Sequence, residues 1–121
     1  MAKLNTDAPG VFFNDIAVPV KQATTTIDFG GFTRTVQLGP GGRVLGYANQ
    51  TAAGTFSCTV AWQAGEDVRA LYDFEGGEIK IVTDQGDTLV GSEAALVTTP
   101  NWSAGEGDMT LEYNCSAWVK L

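Results

Sequence analysis

The chain has 121 residues, with 14 Asp and Glu against 7 Lys and Arg, two Cys and no His, and its formal net charge is −7. This length is typical of one domain that buries its own core, and a content of 44% hydrophobic and 17% charged residues argues against disorder. The negative charge disfavours proteins that grip phosphates, and a chain without His has neither the usual general base nor the commonest metal ligand.

The negative charge is also unevenly distributed along the chain. Residues 1–60 carry four basic and three acidic side chains, whereas residues 61–121 carry three basic and eleven acidic ones. The acidic character therefore belongs to the second half of the sequence.

Alternation of apolar and polar residues dominates the chain and predicts a mainly β protein. The expected strands are 16–20, 24–29, 32–38, 55–62, 78–83, 88–98 and 108–119. In strand 32–38 the apolar side of Phe32, Val36 and Leu38 also contains Arg34. Cys58 and Cys115 both fall on apolar faces of their strands, which predicts buried, reduced thiols, with one disulfide as the alternative.

One segment, Glu66–Phe74, has helical spacing instead, with Val68, Leu71 and Tyr72 on one side. Gly65 is the predicted N-cap, and Gly76 and Gly77 follow the segment as a stop signal. The sequence therefore predicts a β-sandwich or partial barrel with one short α-helix packed on it.

The stretch 39–54 contains five glycines and one proline and shows no convincing period, so a long inter-strand loop is expected. Its apolar residues Val44, Leu45 and Tyr47 are unusual for a solvated loop. They favour a segment that becomes ordered against a partner.

No residue pattern predicts an active site, a metal site or a cofactor. Asp84–Asp87 and Glu106–Asp108 contain paired carboxylates, but the glycines between them are typical of turns between strands. A calcium site or a carboxylate hydrolase are the alternatives for these residues. A sugar-stacking platform is an alternative to core packing for three aromatic residues, Trp62, Trp102 and Trp118.

The N-terminus has no continuous apolar segment of the kind that export signals contain, and no apolar run approaches the roughly 20 residues of a transmembrane helix. We therefore expect a cytoplasmic protein with no membrane partner, unless it leaves the cell within a larger assembly.

From Gly30 onward, the order of elements is similar to that of the tail tube proteins of long-tailed bacteriophages, in particular the small Mu-like contractile-tail tube family. The resemblance rests on strand 32–38, the glycine-rich loop with Gly46 and Tyr47, strand 54–62 and helix 66–74. It continues through strand 79–82, the segment 88–96 and the long closing strand 108–119.

This resemblance implies a structural, non-enzymatic subunit without cofactors that forms hexameric rings, which stack into a tube for the ejection of DNA. It implies one tail tube domain, 1–121, with an N-terminal arm, 1–20, and the loop 39–54 as the contact to the next ring. The expected loop contacts are Arg43, Val44, Leu45, Gly46 and Tyr47. The implied partners are further copies of the chain and the sheath, baseplate or tail terminator proteins. The implied location is the virion tail, after assembly in the host bacterial cytoplasm.

On the same basis, strands 32–38, 55–62, 88–98 and 108–119 would form the inner wall of the tube. The polar faces of these strands would then line the lumen. The residues are Thr33, Thr35, Gln37, Ser57, Thr59, Glu93, Glu112, Asn114 and Ser116. A lining with two acids and no base should let DNA pass without specific binding.

Two further functions remain open at the level of sequence. The first is the tube of a phage-derived injection or secretion machine, which would pass protein instead of DNA. The second, from another class, is a sugar- or calcium-binding β-sandwich module.

Overall fold

The computed structural model describes residues 2–121; Met1, part of the predicted N-terminal arm, lies outside the described residues. Over that range the chain has eleven strands, one α-helix and one 3₁₀ turn, Pro40–Gly42. The strands are β1 (Gly10–Phe13), β2 (Ile16–Ala17), β3 (Thr26–Asp28), β4 (Gly31–Leu38), β5 (Val44–Ala52), β6 (Gly54–Ala61), β7 (Glu75–Val82), β8 (Thr88–Leu96), β9 (Asn101–Ser103), β10 (Asp108–Cys115) and β11 (Val119–Lys120). Helix α1 (Val68–Tyr72) lies between β6 and β7. The predicted mainly β class with one short helix is confirmed.

Nine of the strands in residues 2–121 form one antiparallel sheet, in the order β2-β1-β7-β8-β10-β6-β3. β11 pairs with β8, and β9 pairs with β10. The longest regular pairing joins β6 to β10, from Asp108 opposite Ala61 to Cys115 opposite Gly54. Within the described residues this sheet does not close into a barrel.

The core lies on the face of the main sheet that the apolar alternation predicts. Phe56, Cys58 and Val60 on β6 are buried beside Leu111 and Tyr113 on β10. Burial of both cysteines is confirmed, and both thiols are free.

An aromatic cluster in this core ties the N-terminal strand and the helix to the sheet. The ring of Phe13 on β1 contacts that of Tyr113 edge-on, with ring centroids 5.2 Å apart. The Tyr113 hydroxyl donates a 2.6 Å hydrogen bond to the backbone oxygen of Tyr72 at the end of α1. Since this donor is buried, its hydrogen bond fixes the helix against the sheet.

The helix is shorter than the predicted segment 66–74, and its predicted N-cap, Gly65, is wrong. The N-cap is Asp67, whose carboxylate accepts hydrogen bonds from the backbone N–H groups of Arg69 and Ala70. A side-chain oxygen satisfies the free donors of the first turn, which glycine cannot do.

Part of the predicted N-terminal arm, 1–20, is integrated into its own subunit from Gly10 onward. Its contact with a neighbouring subunit stays a prediction. Val11 and Phe13 are buried, and β1 pairs with β7 along its full length. The preceding residues are also attached to the turn after β7. The Thr6 hydroxyl donates a hydrogen bond to Asp84, and the Asn5 amide donates one to Asp87. Of the predicted strand 16–20, only Ile16–Ala17 forms a strand, with an isolated bridge at Val20.

The predicted loop 39–54 is also wrong for most of its length. Val44–Ala52 forms β5, which pairs antiparallel with β4 from Gly31 opposite Ala52 to Leu38 opposite Val44. Of the five glycines that predicted a loop, Gly39, Gly41 and Gly42 lie in the turn and Gly46 lies in β5, whereas Gly54 is buried at the start of β6. We call this two-stranded element, residues 31–52, the ribbon.

Candidate assembly surfaces

The ribbon is a β-sheet of its own, outside the main sheet. Among residues 2–121, β4 and β5 pair with each other and with no other strand. The 8 residues of β4 give the ribbon a length of about 27 Å at roughly 3.4 Å per residue. Both of its long edges therefore present unpaired backbone groups, as free sheet edges do.

The base of the ribbon is a close approach between two glycines. The β3–β6 pairing ends at Asp28 opposite Thr55, and the ribbon begins at Gly31 opposite Ala52. Between the two ladders, a Cβ on Gly30 would lie 2.6 Å from the backbone nitrogen of Gly54, and Gly30 has a φ of +71°. The ribbon is thus a bent continuation of the β3–β6 pair, and only glycine fits at the bend.

The two faces of the ribbon differ in polarity. One face carries Phe32, Val36 and Tyr47, which are 55%, 46% and 64% exposed. Arg34 lies on the same face, with its guanidinium carbon 4.9 Å from the centre of the Phe32 ring. A charged side chain among these apolar residues is consistent with a face that is not buried within the subunit.

The predicted inter-ring residues come together at the far end of the ribbon. The backbone N–H of Gly39 donates to the Arg43 oxygen over 2.7 Å and closes the turn. Leu38, Val44 and Leu45 are exposed around it. We call residues 38–47 the tip; it contains all five predicted contacts, Arg43, Val44, Leu45, Gly46 and Tyr47.

Four of the predicted lumen residues share the polar face of the main sheet. Ser57 and Thr59 on β6 lie beside Glu112 and Asn114 on β10, with Ser57 directly opposite Glu112. The Thr98 hydroxyl donates a 2.8 Å hydrogen bond to Glu112 Oε2. This pairing places a carboxylate, an amide and two half-buried hydroxyls on one face of the main sheet.

Glu93 and Ser116 meet at the ribbon base. The Ser116 hydroxyl donates to Glu93 Oε2 over 3.3 Å, and both residues line an open groove of about 540 Å³ together with Asn114. Glu93 has a φ of +55° next to the register shift between β7 and β8. An irregularity of this kind changes the direction of a side chain, here that of Glu93.

The predicted lumen residues therefore form two surfaces in one subunit instead of one. Thr33, Thr35 and Gln37 share the polar face of the ribbon, and the other six lie on or beside the main sheet. Among the described strands β4 pairs with β5 alone, so 32–38 lies outside the main sheet of its own subunit. Its place in the inner wall of a tube stays a prediction.

Of the carboxylates considered for catalysis or calcium, Asp84 and Asp87 hold a turn and the N-terminal segment, and Asp108 forms an ion pair with Lys21. Hydrogen bonds from Thr6 lower the pKa of Asp84 below its usual value. A hydrogen bond from Asn5, together with the charge of Lys120, lowers that of Asp87. The turn itself is closed by the backbone N–H of Thr83, which donates a 2.8 Å hydrogen bond to the backbone oxygen of Asp87. No three His, Cys, Asp or Glu within residues 2–121 are grouped so that they could hold a metal ion.

The three tryptophans do not form a common platform. Trp118 is buried, and its indole N–H donates to the Thr55 backbone oxygen over 3.1 Å. Trp62 and Trp102 are exposed, but their rings meet edge-to-face at an interplanar angle of 85°.

The family model for phage tail tube proteins matches residues 16–119. No curated protein matches the chain significantly in sequence. Among solved structures, the chain is similar to the cap that terminates the tube of the anti-feeding prophage, with a TM-score of 0.69 and 12% identity over 98% of this chain and 89% of that one. It is also similar to a chain of the PVC sheath–tube complex, an extracellular contractile injection system in its extended state. That match has a TM-score of 0.68 and 11% identity over 98% of this chain and 90% of the other. Neither helical segment in residues 2–121 has the length and apolarity that crossing a membrane requires.

Proposed function

Because the chain belongs to the phage tail tube protein family, we propose that it is a structural subunit whose hexameric rings stack into a hollow tube for DNA. In this function the protein acts by binding copies of itself. The whole chain, 1–121, serves as one tube domain, and the ribbon replaces the predicted loop as the contact between neighbours.

The observation that carries this proposal is the ribbon. An isolated two-stranded hairpin is marginally stable in water, and a long exposed edge is prone to pair with another chain. This ribbon also exposes Phe32, Val36 and Tyr47 on one face. A neighbouring subunit that covers this face and pairs these edges would stabilise the ribbon and join the subunits at once.

The polar surfaces support a conduit. Ser57, Thr59, Glu112 and Asn114 offer hydroxyl, amide and carboxylate groups. Lys21 reaches the end of the same face of β10, where it is paired with Asp108 over 2.7 Å. Affinity for DNA depends on cations that neutralise phosphates. A wall with this composition would let DNA move past without holding it.

A sheath and a tail terminator or baseplate are the proposed partners, and the virion tail is the proposed location. The solved structures with this fold carry the names of a sheath–tube complex and of a tube-terminating cap. Both belong to contractile or prophage-derived systems, so the tube of a phage-derived injection machine is the second candidate. Packaged DNA in purified particles would favour the phage, and particles without a genome-filled head would favour the injection machine.

The test of the proposal is assembly of a ribbon variant. We expect Phe32→Ser, Val36→Ser and Tyr47→Ser together to abolish rings and tubes in electron microscopy and sedimentation velocity. The matched control changes the opposite face, with Thr33→Ser, Thr35→Ser and Gln37→Ser. The thermal unfolding of both variants should stay close to that of the unmodified chain, since exposed substitutions typically change stability by only about 0.5 kcal/mol. Assembly of the apolar-face variant as efficient as that of the control would contradict the proposal.

A further inference from the structure

A small cavity lies between α1 and the segment that follows β1. It has a volume of about 90 Å³, and its walls include Phe13, Val18, Leu71 and Tyr72. Glu66 also lines it, and Glu66 Oε2 is buried with no hydrogen-bond partner in the described part of the chain. It is the one buried side-chain oxygen or nitrogen in residues 2–121 with this property.

An unpaired buried carboxyl oxygen is costly, so a donor is expected to reach it. A volume of about 90 Å³ has room for water molecules or for a side chain from another copy. Apolar walls that end at a single acceptor match a side chain with an aliphatic stem and a cationic head. Lysine and arginine are the residues of this kind.

Most cations of the chain already have a partner. Lys21, Arg69 and Lys120 form ion pairs with Asp108, Asp73 and Asp87. Arg34 and Lys80 lie over the rings of Phe32 and Phe12. Within residues 2–121, Lys3 and Arg43 have neither kind of contact.

Of these two, Arg43 has the surroundings that match the cavity. It lies at the tip of the ribbon between exposed Leu38, Val44 and Leu45. The cavity opens beside exposed Ile16 and Leu71. The ribbon tip and the cavity thus both have apolar rims, and they carry opposite charges, Arg43 and Glu66. Among the described residues, no ion pair joins these two side chains within the subunit.

We propose that Arg43 of one copy enters this cavity on a second copy and donates a hydrogen bond to Glu66 Oε2. The contact gives the ribbon tip a defined receptor, made of α1 and residues 16–19. It rests on the proposed function, because it requires the ribbon to reach a neighbouring subunit.

Cross-linking between two different variants tests this contact. One chain carries Arg43→Cys and the other Glu66→Cys; they are purified separately, mixed, allowed to assemble and oxidised. The native cysteines are buried and should not react. We expect a covalent dimer from this mixture, and none when Glu66→Cys is replaced by Gln85→Cys in the exposed turn after β7.

A second measurement does not depend on cysteine substitution of a partly buried residue. Arg43→Gln and Glu66→Gln should each raise the critical concentration for assembly roughly tenfold, since coupled contacts are worth about 0.5–3 kcal/mol. The double variant should be no worse than either single variant. Independent, additive effects would overturn the contact and indicate a cavity that holds water only.

The outcomes separate the contact from the function. Rings or tubes that form without the dimer between Arg43→Cys and Glu66→Cys chains would overturn the contact and leave the proposed function intact. Failure of the unmodified chain to form rings or tubes would overturn both.

Discussion

At the scale of single residues, burial controls the chemistry of the cysteines and of the core tyrosines. Burial raises the pKa of the Cys58 thiol from 9.0 to about 12, and it raises that of Cys115. It also raises the pKa of Tyr113, whose hydroxyl bonds to Tyr72. Both thiols are therefore protonated and unreactive in the folded subunit.

These pKa values predict a loss of stability in alkaline solution. A group that holds its proton more tightly when folded stabilises the protein below its unfolded pKa, and this contribution disappears as the pH rises toward the folded pKa. For Cys58 the window runs from about pH 9 to about pH 12. We expect the midpoint of urea unfolding to fall across the accessible part of this window, and to fall less steeply in Cys58→Ala. An equally steep decline in that variant would show that Cys58 does not contribute.

The core residues were predictable because, within each core strand, the alternation of apolar and polar residues indicates which face is buried. Phe56, Cys58 and Val60 alternate with polar residues, and the structure buries all three. The N-cap of α1 was missed because Gly65 and Asp67 are both acceptable N-cap residues. Only the backbone geometry shows that the helix begins after Asp67, whose carboxylate accepts hydrogen bonds from the free N–H groups of the first turn.

At the scale of elements, the ribbon shows where sequence periodicity stops being informative. Alternation reports one buried face, but β5 is exposed along nearly all of its length within the subunit. Its glycines therefore resembled a loop. In the same way β1 was missed, because Pro9 and Gly10 precede only two buried residues, Val11 and Phe13. A strand that is exposed on both faces in its own subunit, as β5 largely is, leaves little periodic signal.

The bend at the ribbon base leads to a paired glycine prediction. Gly30→Ala should destabilise the protein by about 3 kcal/mol or more, because it adds a backbone clash to an unfavourable positive φ. Gly41→Ala is the control, since Gly41 has a φ of +75° but open space around it, and it should cost about 1–2 kcal/mol. Thermal unfolding measures both. Equal losses would mean that the close approach to Gly54 has no energetic consequence.

At the scale of the whole molecule, the negative charge divides into groups with different roles. Asp84 and Asp87 hold the N-terminal segment, and Asp67 caps the helix. Glu93 and Glu112 lie on the polar surfaces that the proposed function assigns to the lumen. The net charge alone could exclude phosphate binding but could not assign these roles.

The proposed lumen predicts a specific defect after charge reversal. Glu93→Lys with Glu112→Lys should leave ring and tube assembly intact and slow DNA ejection, because lysines would attract the phosphates that the acids repel. Ejection is measured by dye release from particles that carry the variant. The defect should weaken as salt is added, since phosphate contacts release counterions. Normal ejection by tubes with this lining would contradict the placement of both acids in the lumen.

The central claim is that this chain builds a tube through its ribbon, and cryo-electron microscopy of the purified, unmodified chain tests it most directly. The account predicts six-fold rings or stacked tubes in which the ribbon, residues 31–52, packs against a neighbouring subunit and its apolar face is covered. A monomer at every concentration, or rings in which Phe32, Val36 and Tyr47 remain exposed to solvent, would contradict it.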